Sequence, residues 1–161
     1  MIRKATPNDF DFIYKLYMHP QVNPYLLYEP MDEVVFKIIF DELLAKQIKY
    51  IFEQNGDSIG MCKLLPYTYR ASHIVYLGGL AIDPSHAGKG YGLIMMEEIK
   101  SYIKAQGFLR VELSVATSNE KAIRLYEKAG FEKEGLLKKY TFLKSEQKFL
   151  DEVLMAWLCV S

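Results

Sequence analysis

The eleven residues Ile82-Asp83-Pro84-Ser85-His86-Ala87-Gly88-Lys89-Gly90-Tyr91-Gly92 constrain the fold more than any other segment of this chain. They read as the end of a strand, a glycine-rich turn and the immediate start of a helix. Three glycines at every second position leave backbone N–H groups uncovered, and the helix adds its own unpaired N–H groups and a partial positive charge. Such a turn suits a phosphate or pyrophosphate. It lies mid-chain, between further strand and helix patterns, so the fold must interleave both element types around it.

The spacing narrows the client. A P-loop needs Gly-x-x-x-x-Gly-Lys-Ser/Thr, but Lys89 is followed by Gly90, so the magnesium-binding hydroxyl is missing. A dinucleotide fingerprint needs Gly-x-Gly-x-x-Gly; counted from Gly88, the sixth position is Leu93. Taken alone, the turn also fits a plain strand-to-helix connection whose glycines serve geometry only.

The elements around the turn follow from periodicity and punctuation. Met1 to Ala5 is a short strand, and Thr6-Pro7-Asn8-Asp9 is a helix start with Asp9 as the reciprocal acid. Pro20, Pro24 and Pro30 break the chain into a loop before a second helix, about Asp32 to Lys46. Its apolar arc (Val34, Val35, Phe36, Ile38, Ile39, Phe40, Leu43, Leu44) is wide enough to predict burial on more than one side, or the wall of a cleft. Lys49 to Gln54 and Ser58 to Leu65 are strands around the hairpin signal Asn55-Gly56. His73 to Ile82 is a strand interrupted by Gly78-Gly79, which suggests a bulge or a close backbone approach. The helix after the turn puts Leu93, Met96, Ile99 and Ile103 on one face, with Glu97, Glu98, Lys100 and Lys104 outside it, and stops at Gly107. Leu109 to Ala116 alternates as a strand. Asn119 opens a helix that Gly130 closes, and Phe131 to about Lys144 and Phe149 to Val160 are the last strands. The expected fold is a single mixed α/β domain over 1–161 with a largely antiparallel sheet.

Composition excludes several classes. The formal net charge is zero, which removes the electrostatic case for a nucleic-acid partner. Cys62 and Cys159 lack metal-ligand spacing and sit in apolar runs, so they read as buried thiols, and no metal is expected. No segment approaches a membrane span and the N-terminus does not read as a signal peptide, so the expected location is the cytoplasm.

A second motif, Asn119-Glu120-Lys121-Ala122-Ile123-Arg124-Leu125-Tyr126-Glu127-Lys128-Ala129-Gly130-Phe131, follows the turn. The two motifs in this order, Gly88-Lys89-Gly90-Tyr91-Gly92 and then Asn119 to Phe131, resemble the GNAT superfamily of acyl-CoA-dependent N-acetyltransferases. The element order matches that fold over essentially the whole chain. The resemblance implies a central twisted sheet of about seven strands, mostly antiparallel, flanked by four helices. It implies acetyl-CoA as cosubstrate: the pyrophosphate on the N–H groups around Ala87, Gly88, Lys89, Gly90, Tyr91, Gly92 and Leu93, the pantetheine arm along Leu80, Ala81 and Ile82, and Asn119, Ala122 and Tyr126 near its sulfur end. By the same resemblance a backbone N–H near Leu80 stabilises the carbonyl oxygen, and Tyr126 is the general acid for the leaving thiolate. Ala87 departs from the family's usual Arg or Gln, which puts affinity in question and leaves the assignment standing.

The general base is less defined. Some relatives use a glutamate five residues before the motif asparagine, and that position here is Ser114. Glu112, on the same strand face, is the candidate base; its alternative reading is a salt-bridged carboxylate. Glu29, Asp32 and Glu33 are weaker candidates, and His73 and His86 read as surface residues. Tyr28, Glu29 and Tyr140, with Tyr25, Tyr67 and Tyr69, are the candidate acceptor-binding residues. The acceptor is expected to be a primary amine on a small molecule or a protein, and the fold allows a homodimer through the C-terminal strands. The alternative function is a non-catalytic acyl-CoA-binding sensor or docking module.

Overall fold

A computed structural model of the protein describes residues 1–159. Its strand order is β1-β2-β3-β4-β5-β7-β6, seven strands in one sheet, with four α-helices. The expected end of the last strand at Val160 lies outside the described residues. The described residues form two compact units, the first of Met1–Leu64 with Gly79–Tyr91, the second of Leu65–Gly78 with the chain from Gly92 onward.

In the first unit, β1 (Ile2–Lys4) runs antiparallel to β2 (Lys49–Gln54), with Ile2 opposite Phe52 and Lys4 opposite Tyr50. β2 turns into β3 (Asp57–Pro66) through Asn55 and Gly56, both at positive φ (54° and 84°), the backbone a two-residue hairpin of matching twist demands. The Asp9 carboxylate accepts from the Thr6 N–H (2.7 Å), the reciprocal half of the expected capping arrangement, and takes both Arg3 terminal nitrogens at 2.8 Å. α1 (Phe10–Met18) and α2 (Glu33–Ala45) bury Ile13, Leu16, Tyr17, Phe36 and Phe40 against Ile51, Met61 and Ala81. The wide apolar arc of α2 is not buried on several sides. Phe36, Phe40 and Leu43 face the core, whereas Val34, Val35 and Ile38 are 79%, 49% and 65% exposed. The core covers only one stripe of α2, and the remaining β-branched residues face out.

In the second unit the early part of β4 (Ile74–Ile82) pairs in parallel with β5 (Arg110–Ala116), with Ile74 opposite Arg110 and Tyr76 opposite Glu112. β7 (Lys148–Leu158) lies antiparallel to β5 on one side and to β6 (Glu132–Leu143) on the other. α3 (Tyr91–Ala105) buries Met95, Met96, Ile99 and Ile103, so the expected face is turned by part of a residue step: Leu93 is 39% exposed and Met95 takes its place. Gly92 marks a close approach at the start of this helix. A Cβ there would sit 3.2 Å from Leu125 Cδ2 of α4 (Glu120–Lys128), so the helices approach closely at that glycine. Lys100 is not simply outside the α3 face. Its Nζ donates to the Ala129 carbonyl (2.6 Å) and lies 5.0 Å from the Trp157 ring, neutralising the end of α4 beside Gly130 at φ 94°.

β4 is continuous through Gly78 and Gly79, so the expected interruption reduces to one residue: Gly79 at φ 54°. The close approach suggested by these glycines is present. A Cβ on Gly79 would meet Tyr17 Oη at 3.2 Å, Lys63 Cε at 3.4 Å and Lys49 Nζ at 3.5 Å.

Candidate functional site

The glycine turn is exposed, with open space at Gly88 and Gly90. Asp83 fixes its entry: its N–H donates to the Ile59 carbonyl (2.8 Å) and its Oδ1 accepts from the Ser85 N–H (3.0 Å), closing a short 3-10 turn over Pro84–His86. Ala87 is extended, and Gly88 and Gly90 both have φ 78°. A Cβ on either glycine would meet nothing within 4 Å, so φ alone selects glycine there. Residues 87–90 are exposed. Among the described residues, the N–H groups of Gly88, Lys89 and Gly90 donate to no backbone carbonyl outside regular elements. Tyr91 is steadied by edge contacts with Phe52 (6.4 Å) and His86 (6.0 Å). On the strand before the turn, the Ala81 methyl is buried, whereas Leu80 and Ile82 are half-buried.

A second feature of the first unit went unnoticed in the sequence. Lys49 and Lys63 are register partners on β2 and β3, and both are buried (1% and 8% exposed). Lys49 Nζ donates to Tyr17 Oη (2.9 Å), and Lys63 Nζ sits 5.2 Å from the Tyr28 ring. No ion pair holds either lysine among the described residues. Burial, with Lys63 as a further cause, pulls the Lys49 ammonium down to about 7. Burial lowers Lys63 as well, with Lys46 adding to it, and pushes the Cys62 thiol up to about 12. A lysine inside each of the apolar runs 49–52 and 61–64 was the available signal; their adjacency depends on strand register. Of the expected acceptor residues here, Tyr28 is half-buried, packed on Tyr17 (5.4 Å) and Phe36 (6.5 Å), and Glu29 is exposed.

In the second unit, Asn119 is the N-cap of α4. Its Oδ1 accepts from the Ala122 N–H (3.3 Å), which leaves the Nδ2 group to donate elsewhere. Ala122 is half-buried, and Tyr126 is buried with its ring 6.2 Å from Phe131. Burial, then the neighbouring Tyr76, raises the Tyr126 phenol well above its usual range, so it stays protonated at neutral pH. Glu112 has both oxygens engaged: Oε1 accepts from Tyr67 Oη (3.0 Å) and Oε2 from Arg110 Nε (2.8 Å). Arg110 also reaches Glu134. Burial and the Glu112 bond push Tyr67 up to about 12. Ser114 Oγ shares a hydrogen bond with Tyr76 Oη (2.8 Å), and Tyr140 is 53% exposed. The geometry therefore gives Glu112 its salt-bridged form. Tyr25 and Tyr69 are also exposed, at 54% and 93%.

Among the described residues, no three His, Cys, Asp or Glu side chains are grouped to hold a metal, and no helix is long and apolar enough to cross a membrane. Residues 10–131 match the sequence model of the Acetyltransferase (GNAT) family. The chain is 28% identical to the L-amino acid N-acetyltransferase of Escherichia coli K12, over 97% of this chain and 96% of that protein. It is 26% identical to the spermidine N(1)-acetyltransferase of Vibrio cholerae, over 88% and 84%. Its backbone is similar to the crystal structure of spermidine N-acetyltransferase from Vibrio cholerae in complex with CoA and spermine (TM-score 0.85, 23% identity, 98% of this chain and 94% of that one). It is also similar to ribosomal-protein-alanine N-acetyltransferase from Brucella melitensis (TM-score 0.80, 18% identity, 98% and 99%).

Proposed function

We infer the reaction from one premise: this chain belongs to the GNAT acetyltransferase family. It is an N-acetyltransferase, and acetyl transfer to an amine is its chemistry. We propose that acetyl-CoA is the donor and that residues 1–161 work as one N-acetyltransferase domain, a reading supported by the family match running from residue 10 to 131.

The observation that carries the reading is the exposed turn at Gly88–Gly90: among the described residues its N–H groups have no backbone partner outside regular elements, and nothing stands within 4 Å of a Cβ placed on either glycine, which suits a pyrophosphate. Ala87 supplies only backbone there, and Lys89, exposed beside it, adds a charge-assisted contact. Gly92, Tyr91 and Leu93 extend the donor set as the first turn of α3. We assign the amide-rich arm to the backbone of Leu80, Ala81 and Ile82, and its sulfur end to Asn119 Nδ2, Ala122 and Tyr126. The Leu80 N–H stabilises the carbonyl oxygen as it gains charge.

The amine, bound in the same complex, forms its C–N bond at the acetyl carbon as the C–S bond breaks. Tyr126 gives its proton to the leaving sulfur, and a proton of the former ammonium restores the phenol through solvent. A phenol carries its proton at neutral pH, as a donor to the sulfur must. With both Glu112 oxygens already engaged, we assign that residue to fixing Tyr67 and Arg110, and leave the amine's first proton to water. We assign Tyr28, Glu29 and Tyr140 to acceptor binding. Two free buried thiols support a cytoplasmic location. A homodimer through the C-terminal strands is supported by Leu136, Tyr140 and Phe142 on β6 and Phe149 on β7, each about half exposed.

The test is release of free thiol from acetyl-CoA across a panel of primary amines. Amine-dependent release is expected. Tight acetyl-CoA binding with no release from any amine would instead establish a non-catalytic acyl-CoA sensor.

A further inference from the structure

Two lysines buried side by side, with no carboxylate paired to either among the described residues, are costly. Each loses its water, and each repels the other. Natural cores seldom keep an uncompensated charge, and replacing such groups with apolar residues is commonly neutral or stabilising. The position of this pair shows what it is kept for. Lys49 Nζ and Lys63 Cε lie 3.5 and 3.4 Å from where a Gly79 Cβ would stand, and Gly79 precedes Leu80, the residue assigned to the acetyl carbonyl. Lys63 keeps 8% exposure and rests over the half-buried Tyr28 ring; Lys49 has 1% and is tied to Tyr17 Oη. Of the two, Lys63 is the one that keeps a solvent-exposed edge, and Lys49 is the enclosed one.

We propose that Lys63, with Lys49 as a positioning residue behind it, binds a carboxylate on the acceptor, so that the acceptor is a small amino carboxylate such as an α-amino acid and not a polyamine. The inference rests on the assignment of Leu80 to the acetyl carbonyl. A compact acceptor follows because Lys63 Cε and Lys49 Nζ lie 3.4 and 3.5 Å from the Gly79 Cβ position and Leu80 is the next residue, which leaves only a few bonds between the carboxylate and the reacting nitrogen. A polyamine would bring further cations to a place already lined by two lysines. The titratable groups facing Lys49 are Tyr17 from α1 and Cys62 and Lys63 from β3; Lys46, at the end of α2, acts on Lys63, and Tyr28 lies under Lys63 with the exposed Glu42 of α2 acting on it. Glu42 is the one carboxylate among them and pairs with neither lysine, which leaves the paired charge to the acceptor. Its arrival keeps Lys49 protonated, and binding takes up protons.

The test compares an α-amino acid, its carboxamide and its decarboxylated amine as acceptors. The wild-type protein is expected to favour the acid in kcat/KM by on the order of 30-fold. Lys63→Met raises KM for the acid and removes that preference, and Lys63→Arg restores part of it. Equal use of acid and carboxamide, or an equal loss on all three acceptors in Lys63→Met, overturns the proposal. Calorimetry with the N-acetylated amino acid in the presence of CoA reads carboxylate binding without turnover. Lys63-dependent binding in a protein that transfers no acetyl group would sink the reaction and keep this site; amine acetylation indifferent to the carboxylate would do the reverse. In buffers of different ionisation enthalpy near about pH 8, net proton uptake on binding that vanishes in Lys49→Met is expected. Binding with no uptake removes Lys49 from the site.

Discussion

Replacing Lys49 with Met should stabilise the protein, and more so in acid than in base. Lys49 is 1% exposed, and burial pulls its ammonium from 10.5 to about 7. At 1.36 kcal/mol per pH unit, holding it charged inside the fold costs about 5 kcal/mol. The folded value lies below the unfolded one, so the unfolded chain binds the extra proton between about pH 7 and 10.5. Wild-type stability therefore rises with pH across that window and is lowest below it. Between about pH 6 and pH 9 this one group contributes a rise of about 3 kcal/mol. Met has nearly the same length and no charge, so the variant lacks that rise. The lost bond to Tyr17 Oη returns about 1 kcal/mol of the gain. Urea unfolding of both proteins across this range isolates the difference, because other titrating groups are common to the two. Parallel stability–pH curves, or a loss of several kcal/mol in the variant near about pH 6, would refute the claim that Lys49 is an uncompensated buried cation.

Other substitutions separate the remaining parts. Tyr126→Phe should cut turnover by about 100-fold with little change in acetyl-CoA affinity, read by steady-state rates beside calorimetry. Gly88→Ala introduces no clash but forces an L side chain to φ 78°; it should cost about 1 kcal/mol in stability and weaken acetyl-CoA binding in equilibrium titration. Lys100→Met removes the bond to the Ala129 carbonyl and should lower stability by about 1 kcal/mol in urea unfolding, with catalysis unaffected. Glu112→Gln keeps an acceptor for Tyr67 Oη and loses the charge opposite Arg110; turnover should stay within about threefold with an unaltered pH–rate profile, whereas loss of the acidic limb would make Glu112 the base.

The legible parts of this protein were those whose signals are local. Asn55-Gly56 and Gly130 announce left-handed backbone, and Asn119 announces a helix start; each sits where its own conformational preference demands. The strand–turn–helix at Ile82–Gly92 was legible for the same reason, although its third glycine also allows close packing against Leu125. What stayed hidden depends on partners distant in the chain. The apolar width of α2 says nothing about how many neighbours it has, and Val34 and Ile38 face out. Glu112 was visible as a carboxylate on the right strand face, but the Tyr67 hydroxyl that binds it comes from 45 residues away. Lys49 and Lys63 look like ordinary strand lysines until the β2–β3 register sets them together and α1 closes over them.

The central claim is transfer of an acetyl group from a CoA thioester to an amine. It is tested most directly by counting products: free thiol against N-acetylated acceptor, by mass spectrometry, in one reaction containing acetyl-CoA and an α-amino acid. One acetylated amine for each thiol, in strict dependence on the amino acid, is the predicted result. Thiol released without an acetylated amine, or neither product while acetyl-CoA remains bound, would contradict it.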